Sequence, residues 1–377
     1  MRTRLALTTL ALATAVTAGA AAAATPARPD PAQQGLETLL HSNGAPGALA
    51  SVMDHNGNLH TYTAGVGDRD THAKMPRDGQ VRIGSITKTF TAVVVLQLVG
   101  EGKIGLDEPV ETYLPNLVRG KGIDGRHITV RQLLQHTSGL PDYEDDVTDD
   151  ILQRRYLRPR DALDVALGHE AVFAPGEKGK WGYSSTNYLV AGLIVEKVTG
   201  RPLAEQIDRR VIQKIGLRHT YFPAPGETTI RERHPQGYRQ ESPGALLRDV
   251  TEIAPSASWA GGAMVSTESD LSRFFSELLK GDGNRLLDKK QLDQMRTTVS
   301  MGRDGYNAGL GIFSTPLPCG REGGRVAWGH NGGIPGYGTW AAATDDGRAA
   351  SVSMTLEPRT GEAIKHLEEA MNAALCS

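Results

Sequence analysis

ALASVMDHNGNLHTYTA (residues 48–64) contains two apolar-rich runs, Ala48–Met53 and Leu59–Ala64, separated by the polar segment Asp54–Asn58. An Asn-Gly pair between two such runs is a strong signal for a β-hairpin, because both residues accept the positive φ angles that the tight turn requires. The ordered part of the chain is therefore predicted to open with two antiparallel strands.

The other end of the sequence has the same character. Three further strands are predicted at Arg325–His330, Gly338–Thr344 and Ala349–Leu356, and Asp345–Gly347 forms a tight turn before the last of them. Apolar residues spaced by three and four then predict an amphipathic helix at Glu362–Leu375.

The middle of the chain is predicted to be mainly helical, at Ser85–Glu101, Val130–Gln135, Asn187–Val198, Leu203–Val211 and Ser269–Leu279. Strands at both termini with helices between them indicate an α+β fold, in which an antiparallel β-sheet flanked by helices adjoins an all-helical lobe. We expect the helical lobe to span about residues 80–265, and the sheet lobe to combine residues 35–79 and 266–377. Clefts commonly form between such lobes.

Composition argues against several classes of protein. The 377 residues are 22% charged and 39% hydrophobic with a formal net charge of −2, which is typical of a globular protein. Aromatic residues make up 5% and no basic block occurs, which argues against nucleic-acid binding. The histidines lack zincin spacing and the glycines do not follow dinucleotide or phosphate-loop patterns, so no metal or cofactor is expected.

The first 24 residues have the features of a secretory signal peptide. Arg2 and Arg4 precede an apolar stretch from Leu5 to Ala20, and the small residues at 21–24 suit a cleavage site. A membrane anchor is the alternative, although the apolar stretch is short for a stable span. We expect a secreted protein, extracellular or associated with the cell wall, with no stable membrane insertion and a disordered Pro/Ala-rich leader at residues 25–34.

Cys319 and Cys376 are the two cysteines of the sequence. In an exported protein such a pair is expected to form one disulfide, and two unrelated buried thiols are the alternative. The disulfide would tie the segment before a late strand to the C-terminal end.

Ser85 and Lys88 are the first candidate catalytic residues. They stand at a boundary between a loop and a helix, which places them one turn apart on the same helical face. An amine beside a hydroxyl is one way to activate a serine nucleophile, and a helix N-terminus offers N–H groups to an oxyanion. The pattern alone is weak, because a serine in this position is most often an N-cap.

Tyr183 lies in a loop segment, residues 182–188, that leads into a helix. Its phenol is a candidate proton shuttle, which requires that a neighbouring cation lower the phenol pKa. Packing of Tyr183 in the core, with the adjacent serines and threonine as helix caps, is the alternative.

His330 ends a predicted strand and is followed by Asn331, Gly332 and Gly333. Glycines at a strand end permit a ligand to approach the backbone closely, and an exposed strand edge can pair with a peptide-like substrate. The alternative is a histidine at a strand end whose hydrogen bonds are made within the fold and which has no catalytic role.

Together these segments resemble those of the penicillin-recognising serine hydrolases: serine D-Ala-D-Ala carboxypeptidases, class C-type β-lactamases, and related esterases and D-aminopeptidases. The pattern Ser85-x-x-Lys88, the tyrosine element at Tyr183 and His330-x-Gly332 occur in the family's order, the last in place of Lys-Thr-Gly. Residues 133–143 and 260–267 also match, and the resemblance covers about residues 35–375.

The resemblance implies a role for each candidate. Ser85 attacks a carbonyl carbon and forms an acyl-enzyme, while Lys88, kept partly neutral by Tyr183 and His330, takes or relays the proton. Tyr183 delivers the proton to the leaving group, and the N–H groups of Ser85 and Gly333 form the oxyanion hole. Further candidates for substrate binding are Gly332, Asn331, Ser185 and Trp259.

The sequence departs from the family pattern in two places. Ser185 stands where the family has an Asn whose amide contacts the substrate and the lysine, and Asn187 follows two residues later. A serine hydroxyl is shorter and donates one hydrogen bond, so substrate orientation changes unless Asn187 takes over this role. Asn331 and Gly333 stand where carboxypeptidases often have threonines that hold the substrate carboxylate, which leaves room for an esterase or an aminopeptidase.

Two neighbouring features are interpreted as structural. His136 lies within a Thr-Ser-Gly turn and is expected to fix that loop. The acidic run Asp142–Asp146 is expected to be a solvated loop, with a Ca²⁺ site as the alternative.

We therefore expect an exported serine hydrolase that acts as a D-alanyl-D-alanine carboxypeptidase on peptidoglycan stem peptides and is acylated by β-lactams. An esterase, a D-aminopeptidase or a β-lactamase on the same scaffold is the alternative. A non-catalytic cell-wall-binding module is a more distant alternative, against which the intact Ser85, Lys88 and Tyr183 argue.

Overall fold

The computed structural model describes residues 30–148, 151, 155–242, 244–281, 283–319 and 324–377. The predicted signal peptide and residues 25–29 of the predicted leader lie outside these ranges. The structure places residues 31–34 in the first helix rather than in a disordered leader. Asp30 caps this helix by accepting a hydrogen bond from the Ala32 N–H at 2.9 Å, and Leu36 and Leu39 are buried on its inner face.

The strands, in chain order, are β1 (Gly47–Met53), β2 (Leu59–Gly65), β3 (Val81–Arg82), β4 (Arg119–Gly120), β5 (Ile123–Asp124), β6 (Tyr238–Arg239), β7 (Arg248–Asp249), β8 (Val265–Ser266), β9 (Val299–Ser300), β10 (Asn307–Ala308), β11 (Phe313–Leu317), β12 (Arg325–Ile334), β13 (Tyr337–Thr344) and β14 (Ala349–Met354). The helices are α1 (Pro31–Asn43), α2 (Thr87–Gly100), α3 (Val110–Tyr113), α4 (Val130–Gln135), α5 (Pro159–Leu167), α6 (Thr186–Thr199), α7 (Leu203–Ile207), α8 (Gln213–Ile215), α9 (Trp259–Gly262), α10 (Glu268–Leu279), α11 (Lys289–Met295) and α12 (Gly361–Leu375).

Strands from both ends of the chain form one antiparallel sheet, as predicted. Its order is β2-β1-β14-β13-β12-β11-β10-β9, and the pairing of β1 with β14 places Ala48 opposite Met354. The predicted hairpin joins β1 to β2, where the carboxylate of Asp54 accepts hydrogen bonds from the N–H groups of Asn56 and Asn58. The fold class is therefore confirmed as α+β.

The edge strands β9, β10 and β11 were not predicted. The first two are two residues long, so they carry no alternation of apolar and polar residues that a sequence pattern could reveal. They extend the sheet beyond the first half of β12, because β11 pairs with Arg325–Gly329. Within the described ranges, His330–Ile334 pair with β13 alone, so this part of β12 keeps the strand edge that was predicted.

Both faces of the central strands are covered. Residues of β1, β13 and β14 are all buried, as expected of strands packed on two sides. Leu36 of α1 and Met371 of α12 belong to the core on one face of the sheet. Phe274 of α10 belongs to the core on the other face, and its ring stacks on Phe90 of α2 with centroids 3.9 Å apart. This contact joins the sheet lobe to the central helix of the helical region.

Cys319 and Cys376 form the predicted disulfide, with Cα atoms 5.8 Å apart. The bond attaches the segment after β11 to the C-terminal end of α12. Closing a loop of 57 residues corresponds to about 4 kcal/mol of stabilisation in the chain-entropy model. No helix among the described residues is long and apolar enough to cross a membrane.

Candidate active site

Ser85 lies where β3 leads into α2. Gly84 has a φ of 49°, a left-handed conformation that glycine adopts without strain, and Gly84–Ile86 form a 3-10 turn before the helix begins at Thr87. Ser85 is half-buried, and Lys88, one turn later, is fully buried. The start of α2 therefore presents a partly accessible hydroxyl beside a buried amine.

Lys88 is held by three oxygen acceptors. Its Nζ donates to Ser85 Oγ at 3.1 Å, to Ser185 Oγ at 3.1 Å and to the carbonyl oxygen of Gly261 at 2.9 Å. These three bonds match the three N–H groups of an ammonium ion. The structure thus brings together two residues that the sequence separates by 97 positions, Lys88 and Ser185.

Lys88 is charged in the resting site, contrary to the expectation of a partly neutral amine. Burial by itself lowers the pKa of Lys88, but the Tyr183 phenol, whose charge acts only once it ionises, and the carboxyl groups of Glu144 and Asp142 raise it. The net pKa lies above the ordinary value of a lysine. Asp142 and Glu144 are responsible for part of this rise, and nothing in the sequence connected them with Lys88.

Tyr183 lies beside the amine, with Lys88 Nζ 4.9 Å from its ring centroid. Burial raises the pKa of the phenol, while the charge of Lys88 and hydrogen bonds with Lys88 and Ser85 lower it. The net pKa is above the ordinary tyrosine value. The expectation of a lowered phenol pKa is therefore wrong for the resting site, although Lys88 acts in the expected direction.

His330 is a buried, neutral imidazole in β12. Its Nδ1 lies 2.5 Å from the carbonyl oxygen of Asn331, and its ring packs at 4.4 Å from the ring of Phe313. Burial, and to a smaller extent the charge of Lys88, lower its pKa to about 3. The residue in the third motif therefore brings no positive charge to the site at neutral pH.

The glycines of β12 pack closely against the segment that leads into α2. A Cβ at Gly332 would overlap the carbonyl oxygen of Ile83 and lie 3.1 Å from the Ser85 nitrogen. A Cβ at Gly84 would lie 3.0 Å from the Gly333 nitrogen. The backbone nitrogens of Ser85 and Gly333, expected as oxyanion donors, therefore belong to two segments in close contact.

Ser185 and Asn187 occupy different surroundings. Ser185 contacts Lys88, in the role expected of the family Asn at its position. Asn187 is fully buried; it accepts a hydrogen bond from the Ser138 hydroxyl at 2.5 Å and lies 3.2 Å from His136 Nδ1 through its amide nitrogen. The alternative in which Asn187 replaces the family Asn is not what the resting structure contains.

Trp259 begins α9, the short helix whose Gly261 carbonyl accepts from Lys88. Its φ of 25° is unusual for a residue with a Cβ. The ring packs on α6, where a Cβ at Gly192 would lie 2.9 Å from it, and it lines a cavity of about 230 Å³. Trp259 therefore belongs to the short helix that holds Lys88 through Gly261. A contact between Trp259 and substrate stays a prediction.

Asp142 and Glu144 are site residues that sequence reasoning missed. Asp142 Oδ2 accepts a hydrogen bond from the Ser185 N–H at 2.9 Å. Burial raises the pKa of Glu144, and the charge of Lys88 and a hydrogen bond with Ser185 lower it, with a net rise. Because Tyr143 between them is 1% exposed, this part of the acidic run is not a solvated loop. The signal in the sequence was Tyr143, an aromatic residue inside the acidic run that indicates a buried segment.

A metal site is not evident at these carboxyls. Within the described ranges, no group of three or more His, Cys, Asp or Glu side chains is arranged to hold a metal ion.

The fold and this arrangement define a serine hydrolase of the β-lactamase and penicillin-binding-protein superfamily. A family model described as "Beta-lactamase" matches residues 32–375, and the chain belongs to this family.

Three similar proteins carry different names within this superfamily. The crystal structure of a D-stereospecific amidohydrolase from Streptomyces sp. has 38% identity and a TM-score of 0.79, covering 89% of this chain and 97% of that one. Esterase EstB from Burkholderia gladioli is 28% identical over 327 residues, 77% of this chain and 81% of the esterase. Penicillin-binding protein 4 from Amycolatopsis lactamdurans is 28% identical over 324 residues, 81% of this chain and 77% of that protein.

Proposed function

We propose that this protein hydrolyses amides and esters whose acyl group has the D configuration, through an acyl-enzyme on Ser85. The observation that carries the proposal is the 3.1 Å contact between Lys88 Nζ and Ser85 Oγ, in a buried amine fixed by two further acceptors. Similarity to the D-stereospecific amidohydrolase supports the D configuration and the amide, and similarity to EstB supports the ester.

In the proposed reaction, the pair formed by Lys88 and Tyr183 first loses one proton to solvent. Ser85 Oγ then attacks the carbonyl carbon, and its proton passes to this pair. The pair delivers this proton to the leaving amine or alcohol as the C–N or C–O bond breaks. The N–H groups of Ser85 and Gly333 stabilise the oxyanion. A water molecule then attacks the acyl-enzyme, returns a proton to Ser85 Oγ and releases the carboxylic acid.

The charges around Ser85 favour a substrate without a free carboxylate next to the scissile bond. His330 is neutral, and the three N–H groups of Lys88 are already bonded. These features support an amidohydrolase or esterase over a strict carboxypeptidase.

D-Alanyl-D-alanine carboxypeptidase activity is the second candidate, with acylation by β-lactams. Similarity to penicillin-binding protein 4 over 81% of this chain favours it. A peptidoglycan-derived substrate would also agree with the predicted signal peptide, and we infer secretion from that segment of the sequence.

Comparison of four substrates tests the proposal: D-alanine p-nitroanilide, its L enantiomer, a p-nitrophenyl ester and a diacyl-lysyl-D-Ala-D-Ala peptide. We expect kcat/KM for the D-anilide to exceed that for the L-anilide by at least tenfold, and release of D-alanine from the peptide to be slower than hydrolysis of the D-anilide. The Ser85→Ala variant, with an unchanged thermal midpoint, should lose all of these activities and its labelling by a fluorescent penicillin or a fluorophosphonate.

Two outcomes would contradict the proposal. Faster turnover of the D-Ala-D-Ala peptide than of the D-anilide would make the protein a carboxypeptidase. Labelling that survives in Ser85→Ala would place the nucleophile at another residue.

A further inference from the structure

His136 occupies a backbone position where a histidine is costly. It is the C-cap of α4, with φ 60° and ψ 39°, a left-handed conformation that helices usually assign to glycine or asparagine. A residue with a Cβ in this conformation costs on the order of 1 kcal/mol or more. The imidazole is also 1% exposed, and its Nε2 has no hydrogen-bond partner among the described residues. Such costs suggest that the side chain has a role of its own.

The imidazole is held in one orientation from its Nδ1 side. The Ser184 N–H donates to Nδ1 at 3.2 Å, and the Asn187 amide nitrogen lies 3.2 Å from the same atom. The Asn187 amide is itself oriented, because its oxygen accepts a bond from the Ser138 hydroxyl. Two donors on Nδ1 place the imidazole proton on Nε2. Burial, with the charge of Lys88, lowers the pKa of His136 and keeps the ring neutral.

The oriented ring stacks on Tyr183. The two ring centroids are 4.5 Å apart and the planes differ by 25°. Tyr183 needs such a support, because it lies in a segment without regular secondary structure and exposes 36% of its surface. The backbone of the same loop is attached to His136 as well, since the Gly182 N–H donates to the His136 carbonyl oxygen at 3.1 Å.

We propose that His136 is a positioning residue, whose ring holds the phenol oxygen of Tyr183 between Ser85 and Lys88 for proton transfer to the leaving group. The proposal rests on the role of Tyr183 in the proposed function. In this proposal the hydrogen-bonded side chains of Ser138, Asn187 and His136 do more than fix their own turn. They set the plane against which the Tyr183 ring lies.

A double-mutant cycle tests this positioning role. His136→Asn keeps the left-handed C-cap and removes the ring, since asparagine tolerates that conformation. We expect kcat for a D-amino-acid p-nitroanilide to fall about 10- to 100-fold with KM changed less than threefold, a fraction of what a general acid contributes. In the Tyr183→Phe background the same substitution should have less than a threefold effect, because the residue through which it acts is absent.

The matched control is His72→Asn. His72 also has a positive φ, of 55°, but it is exposed in the loop between β2 and β3. Its substitution should leave kcat and KM unchanged. Should His136→Asn not give folded protein, His136→Gly removes the same ring, and glycine adopts this conformation without strain.

The outcomes separate the two proposals. Full activity in Tyr183→Phe contradicts the mechanism of the proposed function. Loss of activity in Tyr183→Phe together with normal kcat in folded His136→Asn overturns the positioning role alone. An equal effect of His136→Asn with and without the Tyr183 hydroxyl also overturns it, because the effect then does not pass through the phenol.

Discussion

Ser185 is the residue in which this chain departs from the family pattern. The hydroxyl accepts from Lys88 and interacts with Glu144, so it connects the buried amine to a carboxyl. An asparagine at this position would keep an acceptor for Lys88, and the second lone pair of its longer amide side chain could accept from the substrate amide N–H. Since Asn187 is engaged with His136 and Ser138, it does not supply this contact.

Ser185→Asn should therefore raise kcat/KM on an amide substrate. One regained hydrogen bond to a neutral group corresponds to about 0.5–1.5 kcal/mol, or a two- to tenfold gain. An ester has no amide N–H to orient and should respond less, which makes it the internal control. Steady-state kinetics on a matched anilide and ester pair decide the matter; an equal change on both would show that position 185 does not orient the substrate amide.

The charge state of Lys88 predicts the pH profile of acylation. The pKa values of both Lys88 and Tyr183 are raised above their ordinary values, so both groups keep their protons at neutral pH. A base that accepts the Ser85 proton requires that the pair first lose one. We expect kcat/KM to increase by about tenfold per pH unit between pH 7 and 9.

Initial rates in buffers of constant ionic strength, with folding checked by circular dichroism at each pH, measure this profile. His330, with a pKa of about 3, should add no titration step between pH 5 and 8. A plateau reached below pH 8 would instead indicate a neutral lysine with a lowered pKa, as first expected from the sequence.

At the scale of elements, β12 and the start of α2 form the two walls of the proposed oxyanion hole. Gly332 permits their contact, because a Cβ at this position would overlap the carbonyl oxygen of Ile83. The nucleophile and the strand are therefore positioned by backbone packing rather than by side chains.

Gly332→Ala should displace β12 from the nucleophile and lower the rate of acylation by a fluorescent penicillin at least 100-fold, the loss typical of one misplaced oxyanion donor. Gly361→Ala is the matched control, because a Cβ there meets nothing within 4 Å. Normal acylation by folded Gly332→Ala would show that the two walls can separate without loss of the oxyanion hole.

At the scale of the whole molecule, Glu268 is a buried carboxyl between α10 and the sheet. It hydrogen-bonds the Ser351 hydroxyl, and burial raises its pKa from 4.5 to about 8. The unfolded chain releases this proton near pH 4.5, whereas the folded protein retains it up to about pH 8. The resulting stability is fully present below pH 4.5 and is lost as the pH rises to 8.

Glu268→Gln should remove this pH dependence, because the amide does not titrate. Thermal melts between pH 5 and 8 should show a fall in Tm for the parent protein that is clearly smaller in the variant, since a tenfold difference in proton affinity between the folded and unfolded states corresponds to about 1.4 kcal/mol. Glu369→Gln, at an exposed position of α12, is the control and should behave like the parent. Identical curves for Glu268→Gln and the parent would contradict a neutral Glu268.

The predicted elements that the structure confirms are those with a local signal. Asn56 and Gly57 marked the first hairpin, and the apolar spacing of α12 marked the last helix. The resemblance of the ordered motifs nominated Ser85, Lys88, Tyr183 and His330, whose catalytic roles stay predictions. Hairpin turns and helix periodicity depend on residues close in sequence, so the sequence by itself determined the fold class, and the order of its motifs nominated the candidate catalytic residues.

The tertiary structure alone decided how these residues are charged and supported. Tyr183, Glu144 and Asp142, all more than fifty positions away in sequence, raise the pKa of Lys88, and the ring of His136 stacks on Tyr183 from a separate helix end. Asn187 faces His136 rather than Lys88, although it lies two residues from Ser185. A pKa depends on burial and on every nearby charge, and these are properties of the packed molecule that no local pattern of residues contains.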